Sequence, residues 1–467
     1  MNNQALDYIK EHEDVFKQQL KELLSIPSVS TLVEHQADCE RAAEWLADDM
    51  RRIGFETVEV IHTKWHPVVL AEWMGAGKDA PTVLVYCHYD VQPAEMSDGW
   101  KTPPFEPTEK DGKVFARGAI DSKSNVMAQL KAAEAVIKTG TSPVNIKLMF
   151  EGDEESASEN MTRFVEQYVD RLKCDVAVIC DGSMSDREQP DIAYGLRGVV
   201  TMELEVHGPK QDLHSGHFGG TVHNPIQALA EIISKLHHDD GSVSVPGFYD
   251  DVLALDDEER AELAKALPWI ESEWKDVAAA PHVWGEAQYN LHERIGARPT
   301  LEINGIRGGF AGDGFKTVLP GMALAKISCR LVANQTSQVI YEKLRDYIKK
   351  ITPPTVKAEL RLIEIGEPAL IDRHSPAVEA ARQAYKNVWG KQPHFVREGG
   401  SIPVVVDLQK ALDAQLVLLS FGYKGCAAHG PNEHVYLDMW YKGMAITIQF
   451  YEELGTRMGN PYPNPPP

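Results

Sequence analysis

The stretch Val144–Ser158, VNIKLMFEGDEESAS, decides how this chain is read. Its first half, VNIKLMF, is a short and nearly continuous apolar run, the pattern of a strand buried on both faces. It leads straight into Glu151, Asp153, Glu154 and Glu155. Like charges at the edge of a core repel one another, and a lone desolvated carboxylate is expensive. Taken alone, such an acidic run reads as a solvated turn. The rest of the chain argues otherwise.

The run repeats in kind. VLVYCHYD (Val83–Asp90) and VAVICDG (Val176–Gly182) are also short apolar segments that end in polar groups. Helical patterns lie between them, such as SNVMAQLKAAEAVIKTG, which stops at Gly140. This alternation predicts an α/β fold with a mainly parallel sheet and helices on both faces. After Tyr194 the texture changes. VTMELEVHG, ALAKISCRLV and VKAELRLIEIG alternate apolar with polar residues, as strands with one wet face do. The helical patterns HNPIQALAEIISKLHH and TSQVIYEKLRDYIKKI accompany them. We therefore expect a catalytic domain over 1–194 and 371–467, interrupted by an α+β lid or dimerisation domain over 195–370 with an open sheet. Within it, roughly 239–300 shows no pattern that predicts a fold. The α/β texture resumes with the helical SPAVEAARQAYKNVWG and the strand AQLVLLSFGY. The PYPNPPP tail reads as disordered.

Composition narrows the function. With 467 residues, 43% hydrophobic and 25% charged, the chain is too long for one ordinary core and belongs among globular proteins. A formal net charge of −22 argues against nucleic acid and against an anionic membrane surface as partners. Bound cations would offset part of that charge. The amphipathic start lacks a signal-peptide core, and no long apolar run predicts a membrane span. Six scattered cysteines without a CxxC pair read as reduced thiols of a cytoplasmic protein.

Ligands of an open parallel sheet sit beyond the carboxyl ends of its strands. There the sequence places His88 and Asp90, Glu154 and Glu155, Asp181 and, in GCAAHGPNE, His429, with Asp121 of RGAIDSK at a helix start on the same side. A lone histidine is more often structural than a ligand, but acids and histidines at the same end of four strands form a constellation. Two histidines and several carboxylates without cysteine suit hard or borderline divalent ions such as Zn²⁺ or Mn²⁺, and the candidates are enough for two. Carboxylates crowd at a buried edge when metal supplies the opposite charge. Cys87 has the opposite strand parity to His88 and reads as packing.

These residues carry a resemblance. CHYDVQP (Cys87–Pro93), DGW followed by PPF, GKVFARGAIDSK, FEGDEESAS, DLHSGHFGG, FKTVLP, REGGSIP and AAHGPNE occur in the order found in dinuclear metallopeptidases of the aminoacylase and carboxypeptidase G type. The chain is most similar to the carnosinase and cytosolic nonspecific dipeptidase branch. The resemblance implies a dipeptidase in which His88, Asp121 and Asp181 hold one ion and Asp121, Glu155 and His429 the other, zinc first and manganese second. It implies that Asp90 orients His88, that Glu154 is the general base and acid, and that a cis peptide follows Asp121. It implies further that His214 supplies an oxyanion donor to a partner subunit in a homodimer. Arg330 would hold the substrate's terminal carboxylate, and Thr317, Gly400 and Ser401 match other substrate contacts. Arg397 and Glu398 beside that last loop read as a structural pair. Two departures stand out: many relatives have glycine at Ala157, and the closest dipeptidases often have an acid where this chain has Ser122. The alternative is an amidohydrolase of the same fold that removes an acyl group from amino acids. A closed structural zinc site would need a cysteine-rich cluster, which these motifs do not form, and a scaffold that had lost catalysis would lack one of the acids.

Overall fold

The computed structural model describes residues 3–156, 158 and 160–459; Ala157 and the PYPNPPP tail lie outside the described residues. The chain divides into two compact units, one over 1–194, 371–395 and 402–467, the other over 195–370 and 396–401.

The first unit is α/β. Its central strands Asn145–Glu151, Thr82–His88, Val176–Ile179 and Gln415–Leu418 run parallel in that spatial order. They are the apolar runs of the sequence, and every residue of Asn145–Glu151 is buried. Two antiparallel strands, Val68–Trp73 and Thr57–Ile61, extend one edge. The pattern did not predict this pair, because Thr57–Ile61 has no buried residue, only half-buried ones around the exposed Glu59, and so carries no clean alternation.

The helix Lys123–Lys138 begins two residues after Asp121, with Ser122 at its N-cap, and is buried from Lys123 to Val136. So many charges inside a core require partners. Lys131 Nζ meets Asp49 at 2.5 Å and Glu134 at 3.0 Å, and Arg52 holds Glu134 with two hydrogen bonds. Lys123 donates to the carbonyls of Leu23 at 3.1 Å and Ile26 at 2.5 Å, satisfying acceptors at the end of helix Glu13–Leu24. Burial pushes Lys123 down to about 7.

The second unit is α+β. Its open antiparallel sheet has the order Thr300–Gly308, Met322–Leu331, Gly198–His207, Lys357–Gly366. Strand Gly198–His207 alternates buried and half-buried residues along nearly its whole length. Helices Pro225–Ile233 and Ser337–Ile351 pack on this sheet, and Met202, Leu204, Ile232, Ile327 and Leu344 lie in the shared core. Strand Thr300–Gly308 is not evident in the sequence, since a register break between Ile303 and Gly305 interrupts its alternation.

The segment without a readable pattern contains helix Asp257–Glu273. Asp256 caps it by accepting the Glu259 N–H at 2.7 Å, and Glu259, Leu263, Ala266 and Ile270 form its buried seam. Pro268 inside that helix is the breaker that hid it from sequence reading. A shorter helix, Leu291–Gly296, follows with a capping box between Asn290 and Glu293. Among the described residues no helix is long and apolar enough to cross a membrane.

Candidate metal centre

The four acids at the end of strand Asn145–Glu151 and just beyond it have separate environments. Glu151 stays in the core and accepts the Tyr86 hydroxyl at 2.6 Å. Asp153 closes the turn by accepting the Ser156 hydroxyl at 2.5 Å. Between them Gly152 lies against Tyr89, where an added Cβ would come within 2.2 Å of the phenol oxygen. The chain then turns so that Glu154 and Glu155 sit beside residues from three other loops.

Asp90 sets that turn. Its Oδ1 accepts the N–H of Glu154 at 3.2 Å and its Oδ2 the N–H of Glu155 at 2.9 Å. The same Oδ1 lies 3.4 Å from Nδ1 of His88, whose Nδ1 also faces the Asp90 carbonyl at 3.1 Å. With both acceptors on Nδ1, the proton of a neutral ring belongs there and Nε2 is left able to bind a metal. Both residues are fully buried.

The centre is organised on Asp121. Its Oδ1 lies 3.0 Å from Nε2 of His88, and its Oδ2 lies 3.0 Å from Nε2 of His429. Asp181 faces His88 at 3.4 Å, and Glu155 faces His429 at 3.2 Å. His88, Asp121 and Asp181 thus offer ligand atoms within 4.8 Å of one another, as do Asp121, Glu155 and His429. The Asp121–Ser122 peptide is cis, and Ser122 donates to the Cys180 carbonyl at 3.4 Å. Cys87 is buried and pairs with Cys180 rather than facing the centre.

The donor set fits divalent ions. It is made of imidazole nitrogens and carboxylate oxygens, the choice of hard and borderline metals. Glu155 Oε1 is buried without a hydrogen-bond partner. Among the described residues no lysine or arginine pairs with Asp121, Glu154, Glu155 or Asp181, so histidine alone opposes these charges. The electrostatics follow. Hydrogen bonds to Asp121 and Glu155 push His429 up to about 10. Burial would lower His88, but Asp181, Asp121 and Asp90 raise it well above its usual value. Burial, followed by Asp181 and other nearby carboxylates, pushes Glu154 up to about 9. A cluster this rich in negative charge calls for cations.

Residues 84–453 match the sequence profile of peptidase family M20/M25/M40. The chain belongs to that family. It is a metallopeptidase, a hydrolase that works with divalent metal ions. The Cys-Gly metallodipeptidase of Schizosaccharomyces pombe is 32% identical over 96% of this chain and 98% of its own length. The crystal structure of human carnosine dipeptidase 1 superposes with a TM-score of 0.80 at 30% identity, covering 97% of this chain and 98% of that one. An M20 family metallo-carboxypeptidase from Sulfolobus solfataricus superposes with a TM-score of 0.82 at 30% identity, covering 94% of this chain and 99% of that one.

The remaining candidates of this M20 chain lie in the second unit and form two groups. Leu213–His214 pairs with Val318–Leu319, and the Thr317 carbonyl accepts the Ser215 N–H at 3.1 Å, so His214 and Thr317 are neighbours. His214 Nδ1 accepts the Gly216 N–H at 2.9 Å, which leaves the proton of a neutral ring on Nε2. Arg330 donates from Nη1 to the Ser401 hydroxyl at 3.1 Å, beside Gly400. Arg397 pairs with Glu259, a partner that the sequence reading, which matched it with Glu398, did not anticipate.

Two supports of the centre also escaped sequence reasoning. Gln92 donates to Glu155 Oε2 at 2.8 Å. Glu433, fully buried, accepts from Arg117 at 2.6 Å and from the N–H groups of Gly118, Ile120 and Asp121 at 3.1, 2.8 and 3.1 Å. The same guanidinium donates to the carbonyls of His429 at 3.1 Å and Pro93 at 3.3 Å. One buried ion pair therefore joins the loops that carry Asp121 and His429. The His429 loop needs such a clamp, since Ala427, His429 and Asn432 all adopt positive φ, at 59°, 59° and 61°. The available signal was position: Arg117 stands four residues before Asp121, and Glu433 four after His429.

Arg117→Lys keeps a charge for Glu433 but loses the fork that reaches His429. Titration of the metal-free variant by calorimetry is expected to show one ion bound as in the wild type and the other weakened roughly 10–100-fold, the usual cost of losing an outer partner of a ligand. Equal weakening of both, or of neither, would count against the clamp.

Proposed function

We propose that this metallopeptidase cleaves dipeptides with a free C-terminal carboxylate. In this reading His88, Asp121 and Asp181 hold one divalent ion and Asp121, Glu155 and His429 a second. The observation that carries it is the Asp121 carboxylate, whose two oxygens each face a different histidine at 3.0 Å. Nitrogen and oxygen donors without sulfur favour zinc first and manganese second. When bound, such ions lower the pKa of a shared water and polarise the scissile carbonyl.

The chain's own groups do the rest. Glu154, whose backbone N–H is held by Asp90 beside Glu155, is placed to take a proton from the attacking water and return it to the leaving amine. Asp90 holds the backbone of Glu154 and the ring of His88 in one arrangement, so base and ligand are oriented together. His214 acts as donor to the developing oxyanion through Nε2, which its Nδ1 hydrogen bond leaves protonated. Arg330 receives the substrate's terminal carboxylate with its planar fork, aided by Thr317, Gly400 and Ser401.

We further infer a homodimer built on the second unit, in which His214 serves the metal centre of the other copy. Its edge strand Thr300–Gly308 and the exposed Ile306, Phe310 and Phe315, the last 91% exposed, support an interface there. The names of the Cys-Gly and carnosine relatives support a dipeptide substrate. All six cysteines are free, in keeping with a cytoplasmic home.

The test is a hydrolysis panel on protein loaded with Zn²⁺ or Mn²⁺, with a chelated control. Free dipeptides should be cleaved and N-acetyl or N-succinyl amino acids should not, with all activity lost on chelation. Cleavage of the acylated compounds alone would move the enzyme to the acyl-removing reaction. Separately, Glu154→Gln should lower kcat by about two to four orders of magnitude, the range of general acid–base catalysis, with metal content by elemental analysis unchanged. Wild-type turnover in that variant would remove Glu154 from its role.

A further inference from the structure

The 239–300 segment has no part in the chemistry above, yet its contacts converge on one place. We infer that this segment is the scaffold of the carboxylate clamp, with Glu259, Arg397 and Arg197 as positioning residues that hold the Gly400–Ser401 loop against Arg330. The inference rests on the reading of Arg330 as the clamp and adds to it what sets the clamp's geometry.

Three contacts tie the segment to the loop. First, Glu259 of helix Asp257–Glu273 pairs with the Arg397 guanidinium, and both are buried. Second, the His292 ring bridges that helix to the Arg397 backbone. Its Nδ1 faces the Leu263 carbonyl at 2.8 Å and its Nε2 faces the Arg397 N–H at 3.3 Å. A single tautomer satisfies both, with Nδ1 donating and Nε2 accepting. Third, Gly296 lies so close that an added Cβ would stand 2.4 Å from Arg397 Cβ and 2.6 Å from its carbonyl oxygen. Only glycine allows that approach.

Arg197 carries the connection onward. Its guanidinium donates to the carbonyl of Arg294 and, at 2.9 Å, to that of Arg298, both at the end of the segment. Its backbone N–H donates to the Gly400 carbonyl at 3.0 Å, and its carbonyl accepts the Ser401 hydroxyl at 2.5 Å. That hydroxyl oxygen in turn accepts from Arg330 at 3.1 Å. The path is continuous: segment, Arg197 and Arg397, loop, Arg330. Burial, and after it the neighbouring Arg330, push Arg197 down to about 10.

A part that sets the position of a binding group should alter recognition of the group's ligand and leave the rest of the reaction alone. The experiment uses the metal-loaded full chain and a pair of substrates, a free dipeptide and the same dipeptide as its C-terminal amide. Glu259→Gln and Arg197→Lys are expected to raise KM for the free dipeptide roughly tenfold, the effect of displacing a binding group by a fraction of an ångström. Metal content, kcat for the free dipeptide and kcat/KM for the amide should hold within about twofold. Because a single change in a buried pair can unfold a protein, the double variant Glu259→Gln with Arg397→Gln removes both charges and serves if Glu259→Gln does not fold. Parallel losses on both substrates, or no loss on either, would overturn the inference. Arg330→Ala separates the two levels: if it fails to discriminate free from amidated substrate, the clamp reading itself is wrong. If it discriminates and the positioning variants do not, only the scaffold fails.

Discussion

The structure depends on one carboxylate shared between two imidazoles. Asp121 presents Oδ1 to His88 and Oδ2 to His429, and through them to Asp181 and Glu155. Five acids, Asp90, Asp121, Glu154, Glu155 and Asp181, converge where strand ends and helix starts meet. Without compensation that arrangement would repel itself apart. Much of the first unit serves to hold it. Asp90 fixes the Glu154–Glu155 turn, Gln92 fixes Glu155, and the Arg117–Glu433 pair fixes the backbone on both sides of the shared carboxylate. Breaking such a buried pair by removing one partner typically costs about 3–5 kcal/mol, so its presence shows how strongly the ligand loops are constrained.

In the proposed reading the first unit supplies the anionic cluster and the base. In the same reading the second supplies hydrogen-bond donors: the Nε2 of His214 and the guanidinium of Arg330, the groups suited to anionic parts of a substrate and its transition state. Each is set by backbone neighbours. His214 is held by pairing with the Val318 strand, and Arg330 by Ser401, which answers to Arg197. On the proposed reading the 239–300 segment, with helix Asp257–Glu273, is part of substrate recognition rather than an ornament on the fold.

Much of this was legible in the residues. Strands such as Asn145–Glu151 are apolar on both faces and are read directly, and the order of motifs from CHYDVQP to AAHGPNE pointed to the family and to the residues gathered around Asp121. The parts that were not legible share a cause: their signal is tertiary. Thr57–Ile61 has no fully buried residue, Thr300–Gly308 breaks register at Asn304, and Asp257–Glu273 hides behind Pro268. Arg117 and Glu433 stand inside motifs but are 316 residues apart, so nothing local shows that they meet. The pairing of Arg397 with Glu259 is of the same kind, a contact across 138 residues.

The most direct measurement is a crystal structure of the protein loaded with Zn²⁺ or Mn²⁺, with anomalous diffraction collected at the metal edge. Two anomalous peaks should lie on either side of the Asp121 carboxylate, one touching His88 and Asp181, the other Glu155 and His429. A single peak, or two peaks that do not share Asp121, would show that the carboxylate does not bridge and would remove the basis of the dinuclear mechanism.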